Sequence, residues 1–253
     1  METLIDIVIV SFNTRELLER CLQTIKVHTD VPYRIIVVDN KSHDGSAQAA
    51  KQLGWPELTV IENKRNVGYA KACNQGIRVG ASPYIILLNS DIMVTTSWVS
   101  PMIECMRTDP TIAVVGPKLV DQENRIAGAG VVGSYANHWS RGYMEPDEPG
   151  KYDTQEDCIS VCGAAYLIRR DLLPTIGLFD EGYFFYFEET DYSFHVHSLG
   201  YRVVYCPQSK LIHLGGQSSH DHVLLRRYFN ASQRRFRHKW KHLMKDTSSL
   251  GGD

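Results

Sequence analysis

Three stretches of this sequence carry side chains whose types and spacing could do chemistry. Asn89-Ser90-Asp91 ends the apolar run from Tyr84 to Leu88, and Ile92-Met93-Val94 follow at once. Asp91 is therefore held between apolar neighbours, close to the protein body. A carboxylate at a strand's end suits a divalent cation that also touches phosphate oxygens. Mg²⁺ or Mn²⁺ is commonly held by one or two carboxylates, with phosphates and waters completing the shell. Asn89 could orient a ribose or a metal-bound water. Asp39 ends a second buried run, Tyr33 to Val38, where it could accept an N–H from a pyrimidine ring. The third stretch, YFEETDYSF at 186–194, offers Glu188, Glu189 and Asp191 behind the aromatics Tyr183, Phe184, Phe185 and Tyr186. Partial desolvation by such neighbours raises a carboxylate towards useful base strength. Each stretch also has a plainer reading. Asn, Ser and Asp form turns, Asp44 or Ser46 would cap a helix after Asp39, and acids favour a helix N-terminus.

The elements that must position these groups alternate along the first half. Asp6–Phe12 reads as a buried strand and Thr14–His28 as a helix, with Leu17, Leu18, Cys21, Leu22 and Ile25 on one face. Strands follow at 33–39, 58–62 and 84–88, with helices at 46–53 and 69–80. Strands alternating with helices predict βαβ units and an α/β fold, a mostly parallel central sheet with helices on both faces. Ligands of such sheets bind beyond the carboxyl ends of the strands. Ser11-Phe12-Asn13, the loop from Asp39 to Ser46 and Asn89-Ser90-Asp91 would all gather there. Later, Gly128 to Gly150 reads as a long mobile loop, Cys158–Arg169 as a strand, 184–199 as an acidic cluster entering a helix and Arg202–Cys206 as a strand.

Composition sets the outer limits. The 253 residues are 43% hydrophobic and 22% charged, ordinary for a globular protein. One elaborated domain over 1–220 is expected. No stretch reaches the ~18 apolar residues that span a bilayer. The acidic N-terminus does not resemble a secretory signal, and the six scattered cysteines suit a reduced, cytoplasmic protein. The net charge of −2 hides an uneven spread. Asp221 to Lys245 holds eight Lys/Arg and one acid, leaving an acidic remainder.

In order along the chain stand IVIVSFN (7–13), VVDNKSHDGS (37–46), NVGYAKACNQG (66–76), LLNSD (87–91), GAAYLIRRDLLPTIGLFDEGYFFYFEETDYS (163–193), GYRVVY (200–205) and HLGGQS (213–218). Together they resemble a family 2 glycosyltransferase of the GT-A fold, within its rhamnosyltransferase-like group. The resemblance covers most of residues 7 to 218, and implies a nucleotide-sugar-binding half at 1–91 and an acceptor and catalytic half at 92–220 of the one domain. It implies an inverting, metal-dependent transfer from a UDP- or dTDP-sugar, dTDP-rhamnose among the candidates, to a hydroxyl of a saccharide or lipid-linked glycan. It implies that Ser11, Asn13 and Asp39 line the base pocket and that Asn66 and Gly68 belong to the loop beside the nucleotide. Asn89-Ser90-Asp91 stands where the family carries its DxD motif, which leaves Asp91 to meet Mn²⁺ or Mg²⁺ directly. His213, in His-x-Gly-Gly-x-Ser, is implied as a further metal or pyrophosphate ligand. The family's base is the second residue of an acidic pair, here Glu189, with Asp191 as the second candidate. His195 stands where the family tends to carry Arg.

Two motifs lead elsewhere. GAGVVG at 128–133 matches Gly-x-Gly-x-x-Gly but lacks the strand and helix that a dinucleotide site needs, and reads as a flexible segment near the acceptor. Cys158 and Cys162, if four residues apart in a strand, would be ~13 Å apart and unable to share a zinc ion. The rival functions are a catalytically inactive nucleotide-sugar-binding module and a sugar-nucleotide nucleotidyltransferase. The latter should carry a Gly-rich basic loop after the first strand, and SFNTRE is not one. At 224–243, Leu225, Phe229, Phe236, Trp240 and Leu243 form an apolar stripe amid Arg and Lys. Such a basic amphipathic helix, with its tail to 253, packs on the domain or docks peripherally on the inner membrane face. Nucleic acid is not expected as a partner of an otherwise acidic chain.

Overall fold

The computed structural model describes residues 3–215 and 221–245. Parallel strands β1 (Ile5–Ser11), β2 (Tyr33–Asp39), β3 (Leu58–Glu62) and β4 (Tyr84–Asn89) are joined by α1 (Arg15–His28), α2 (Ser46–Gln52) and α3 (Tyr69–Val79). The strands are β-branched runs because both sheet faces are covered. Ile5, Ile7 and Ile9 point into one core with α1, while Val8 points into the other with α3. Gly76 allows this second contact, since a Cβ there would overlap the Val8 side chain. Register does the rest: Ser11 pairs with Asp39, and Val10 with Asn89. The polar residues that end these strands therefore reach one sheet edge together.

The second half adds β5 (Ile92–Met93), α4 (Ser100–Arg107), β6 (Ile112–Val120), β7 (Ile126–Gly128), β8 (Val131–Gly133), β9 (His138–Ser140), β10 (Glu156–Asp157) and β11 (Ala165–Arg169). After them come α5 (Leu173–Ile176), α6 (Glu188–Ser198), β12 (Arg202–His213), α7 (His222–Lys239) and α8 (Lys241–Lys245). The main sheet runs β10-β12-β6-β11-β4-β1-β2-β3. β11 lies antiparallel between β4 and β6, while β12 is parallel to β6.

Several expectations need correction here. β6 is fully buried yet escapes the pattern, because Gly116-Pro117-Lys118 interrupts its apolar run. The Lys118 ammonium is held inside by Asp147 at 2.8 Å and Asp153 at 2.5 Å. The segment from Gly128 is no featureless loop: β8 and β9 pair as a hairpin, and Tyr152 is buried. Residues 158–164 are not strand. Cys158 sits under Gly130 and Cys162 against Gly128, in separate places. β12 does not stop at Cys206. A register shift between Cys206 and Lys210 absorbs Pro207, and the strand continues to His213. All six cysteines are free. Among the described residues, no helix is long and apolar enough to cross a membrane.

Candidate active site

The sheet edge is stitched by short polar links. Ser11 Oγ lies 3.1 Å from Thr14 Oγ1, which accepts from Ser90 Oγ at 3.0 Å. Asn13 has a left-handed backbone (φ 54°), and its Oδ1 accepts the His43 N–H at 2.7 Å. Asp39 Oδ1 accepts the Ser42 N–H at 2.9 Å, while its buried Oδ2 has no partner among the described residues. That free oxygen, at the end of β2, can receive a ring N–H. Asn66 Oδ1 turns the loop before α3 by accepting the Gly68 N–H at 2.9 Å. Gly68 is required there. Its φ is +88°, and a Cβ would come 2.7 Å from the Phe184 carbonyl oxygen.

Asn89 is fixed by Tyr69, whose hydroxyl donates to Asn89 Oδ1 at 2.9 Å. The amide nitrogen of Asn89 remains a donor. Asp91 is 2% exposed. Strand pairing delivers its partner: His213 on β12 stands opposite Ile92 on β5, and Leu214 N–H donates to the Asp91 carbonyl at 2.9 Å. Asp91 Oδ1 then lies 3.4 Å from His213 Nε2, within ion-pair range but without a hydrogen bond from any described group. A buried carboxylate oxygen and a ring nitrogen aimed at one point are O and N donors of the kind a divalent cation takes. No third His, Cys, Asp or Glu joins them among the described residues. Diphosphate oxygens and water would have to complete the shell, which is how Mg²⁺-type sites are often built. Gly216, Gln217 and Ser218 of the His-x-Gly-Gly-x-Ser motif lie outside the described residues.

The acidic pair opens α6. Tyr186 (φ 73°) and Phe187 (φ 71°) are both left-handed, a costly conformation for bulky residues. Neighbours impose it. Phe184 O accepts from Tyr69 N–H at 2.7 Å, Phe185 O accepts from Ser232 Oγ at 2.8 Å, and Phe187 packs on Phe229 and Phe236. Glu189 packs against Gly163, whose carbonyl lies 3.4 Å from the Tyr69 hydroxyl. Burial pushes the Glu189 carboxyl up from the usual range. Burial, with the Glu189 charge beside it, holds Glu188 well above that range, and Glu188 Oε2 has no partner among the described residues. A carboxylate so placed is a stronger base than an exposed one.

Both carboxylate oxygens of Asp191 are engaged. Its Oδ1 accepts from Tyr183 OH at 2.9 Å and from Trp240 Nε1 at 2.8 Å, and its Oδ2 from Lys239 Nζ at 2.7 Å. It fastens α7 to α6. Sequence reasoning also missed Thr14, Asn40 and Tyr69. Asn40 Nδ2 donates to Gly68 O at 3.2 Å while its Oδ1 accepts from Asn63 Nδ2 at 2.9 Å, which ties two loops together. A cavity of about 510 Å³ opens at this edge, lined by Thr14, Asn40, Asn66, Asn89 and Ser90 and by Phe12, Phe184, Leu224, Leu225 and Tyr228 among others.

Fold and edge together define a GT-A type glycosyltransferase, and two solved structures share the architecture. GalNAc-T7 with UDP, GalNAc and Mn²⁺ aligns with a TM-score of 0.70 at 18% identity, covering 84% of this chain and 44% of that one. The Pyrobaculum calidifontis mannosyltransferase PcManGT with GDP-Man and Mn²⁺ aligns at 0.65 and 17% identity, covering 92% of this chain and 65% of that one. The chain belongs to glycosyl transferase family 2, whose model matches residues 6–177. The N-acetylglucosaminyl-diphospho-decaprenol L-rhamnosyltransferase of Mycobacterium tuberculosis is 24% identical over 240 residues, 84% of this chain and 76% of that protein. The O-antigen biosynthesis protein RfbC of Myxococcus xanthus is 24% identical over 216 residues, 81% of this chain but 17% of that protein.

Glu188 yields a test of this electrostatic picture. Its folded pKa is raised, so the stability it contributes is present below the ordinary value of 4.5 and is lost as pH rises through the folded value. Glu188→Gln, which cannot ionise, should therefore melt above the wild type at alkaline pH, with the gap closing on acidification. A gap that stays constant across the pH range would show that Glu188 carries no buried charge.

Proposed function

We propose that this chain is an inverting, metal-dependent glycosyltransferase, moving a sugar from a UDP- or dTDP-sugar to a hydroxyl of a saccharide or lipid-linked glycan. The observation that carries this is Asp91 Oδ1, without a hydrogen bond from any described residue, 3.4 Å from His213 Nε2 at the carboxyl edge of the sheet. Asp91 and His213 would hold Mn²⁺ or Mg²⁺, which when bound supplies charge neutralisation for the leaving diphosphate. Asp39 Oδ2 accepts from the base, Ser11 and Asn13 shape its pocket, and Asn66, Gly68 and Asn89 border the nucleotide. Glu189 takes the proton of the acceptor hydroxyl as that oxygen attacks from the face opposite the diphosphate. The rhamnosyltransferase relative makes dTDP-rhamnose the first donor to try, and its printed name, with a diphospho-decaprenol, favours a lipid-linked acceptor. An inactive binding module would have no use for Glu189, a half-buried carboxyl raised towards base strength. A nucleotidyltransferase would need a Gly-rich basic loop where Phe12-Asn13 stands.

The C-terminal helix bears on the membrane question. Phe236 and Trp240 of its apolar stripe are buried against the domain, so neither is free to enter a bilayer, while Phe229 is half-exposed. Arg226, Arg227, Arg234 and Arg237 remain exposed within an arc of about 100° on the outer face. Each such cation is worth about 1 kcal/mol near an anionic bilayer. Peripheral contact, if made, is electrostatic. Phosphatidylglycerol vesicles should pull the protein down at low salt and phosphatidylcholine vesicles should not. Equal sedimentation with both would end this reading.

Two tests address the chemistry. UDP or dTDP with Mn²⁺ should raise the melting temperature, and EDTA or Asp91→Ala should abolish the rise while the apoprotein still folds. A ligand at a hundredfold excess over Kd adds about 2.7 kcal/mol to stability, which a melt detects easily. No shift with either nucleotide would sink the donor assignment. Glu189→Gln should retain donor binding and lose about 10²–10⁴-fold in turnover. Normal transfer by that variant would remove Glu189 from the base role.

A further inference from the structure

The family model ends at residue 177, yet the donor cavity does not. Leu224, Leu225 and Tyr228, all from the first half of α7, line it alongside residues at the ends of β1 and β4. Tyr228 stacks on Phe184 with ring centroids 4.5 Å apart and planes inclined by 29°. Phe184 is the residue whose carbonyl holds Tyr69 and whose backbone excludes a Cβ at Gly68. The helix is not leaning there loosely. Ser232 Oγ donates to Phe185 O at 2.8 Å, Arg235 pairs with Asp180 at 2.8 Å, and Lys239 and Trp240 hold Asp191. Phe236 is 1% exposed.

We infer that α7 is a working wall of the donor site, and that Tyr228, with Leu224 and Leu225, touches the bound nucleotide sugar and helps set its affinity. The inference rests on the donor-site reading above. Of the lining side chains described, none carries a formal charge. The strand ends offer hydroxyls and amides from Thr14, Asn40, Asn66, Asn89 and Ser90. α7 and Phe184 offer aromatic and aliphatic surface. A cavity of this kind takes the neutral rings of a nucleotide sugar, hydrogen-bonded along their edges and covered on a face, while the charged diphosphate reaches towards Asp91 and His213. Covering a ring face with an aromatic side chain excludes water and adds stacking energy that an open sheet edge cannot supply. The C-terminal helix is thus part of the substrate pocket as well as a carrier of positive charge.

The test uses the full chain with Mn²⁺ and either UDP-glucose or dTDP-glucose as probe. Tyr228→Ala removes the wall and its stacking on Phe184 without touching the anchors at Ser232, Arg235, Phe236, Lys239 and Trp240, so the unliganded protein should still fold, melting only slightly lower. Its Kd for the nucleotide sugar should rise about tenfold, the usual scale of one lost aromatic ring contact. Tyr228→Phe should bind like the wild type, because the ring and not the hydroxyl does the covering. Leu225→Ala provides a second probe of the same wall, and Val223→Ala, at a 67% exposed position outside the cavity, should change nothing. If Tyr228→Ala and Leu225→Ala fold and bind within twofold of a wild type that binds well, α7 is only a structural cover and the inference falls. If the wild type binds neither nucleotide sugar, the donor-site reading itself falls and takes this inference with it.

Discussion

Three carboxylate oxygens in this protein are buried with no hydrogen-bond partner among the described groups: Asp39 Oδ2, Asp91 Oδ1 and Glu188 Oε2. Each costs about 1–3 kcal/mol or more to keep dry and unpaired. A fold of marginal stability keeps such groups only where something else needs them. All three lie towards one edge of the sheet, where β2, β4 and the start of α6 come together. The rest of the molecule can be read as the apparatus that holds those oxygens in position. The register of β1 with β2 and β4 fixes the first two. The pairing of β5 with β12 adds His213.

The third depends on strain. Two consecutive bulky residues, Tyr186 and Phe187, adopt left-handed backbone so that α6 can begin where it does. Such a turn costs roughly 1–3 kcal/mol per residue and persists only when its surroundings over-determine it. Here the surroundings are the Tyr69 and Ser232 hydrogen bonds, the aromatic cluster around Phe187, and the Asp191 clamp. This gives α7 a structural reason to exist at the end of the chain. It covers the strained turn, satisfies Asp191 and Asp180, and closes one side of the cavity in the same stroke. Arg235 and Lys239 face inward for that purpose, while the remaining arginines face out.

Much of the fold was legible in the residues. The first four strands are long β-branched runs with clear helical faces between them, so period alone separates them. The convergence of Ser11, Asp39 and Asn89 followed from topology, since parallel strands must end on the same side. The acidic pair stood out because aromatics precede it. What escaped notice had interrupted patterns. β6 hides a Lys that only Asp147 and Asp153 make acceptable in the interior, and β12 carries a Pro that a register shift absorbs. Asn40, Thr14 and Tyr69 gave no signal because each acts through a partner distant in sequence.

By itself the sequence determined the alternating α/β plan and the polar residues that gather at one sheet edge. Those properties are local: strand and helix periods, and a polar residue at the end of an apolar run. The tertiary structure alone decided which of the three acids is tied up by partners. Asp191 is engaged by Tyr183, Lys239 and Trp240, and the last two lie some fifty positions further on. It also decided that the C-terminal helix belongs to the cavity, because an amphipathic stripe states that one face will be buried but not against what. That choice is made by complementary shape and charge between segments far apart in the chain, which no window of residues contains.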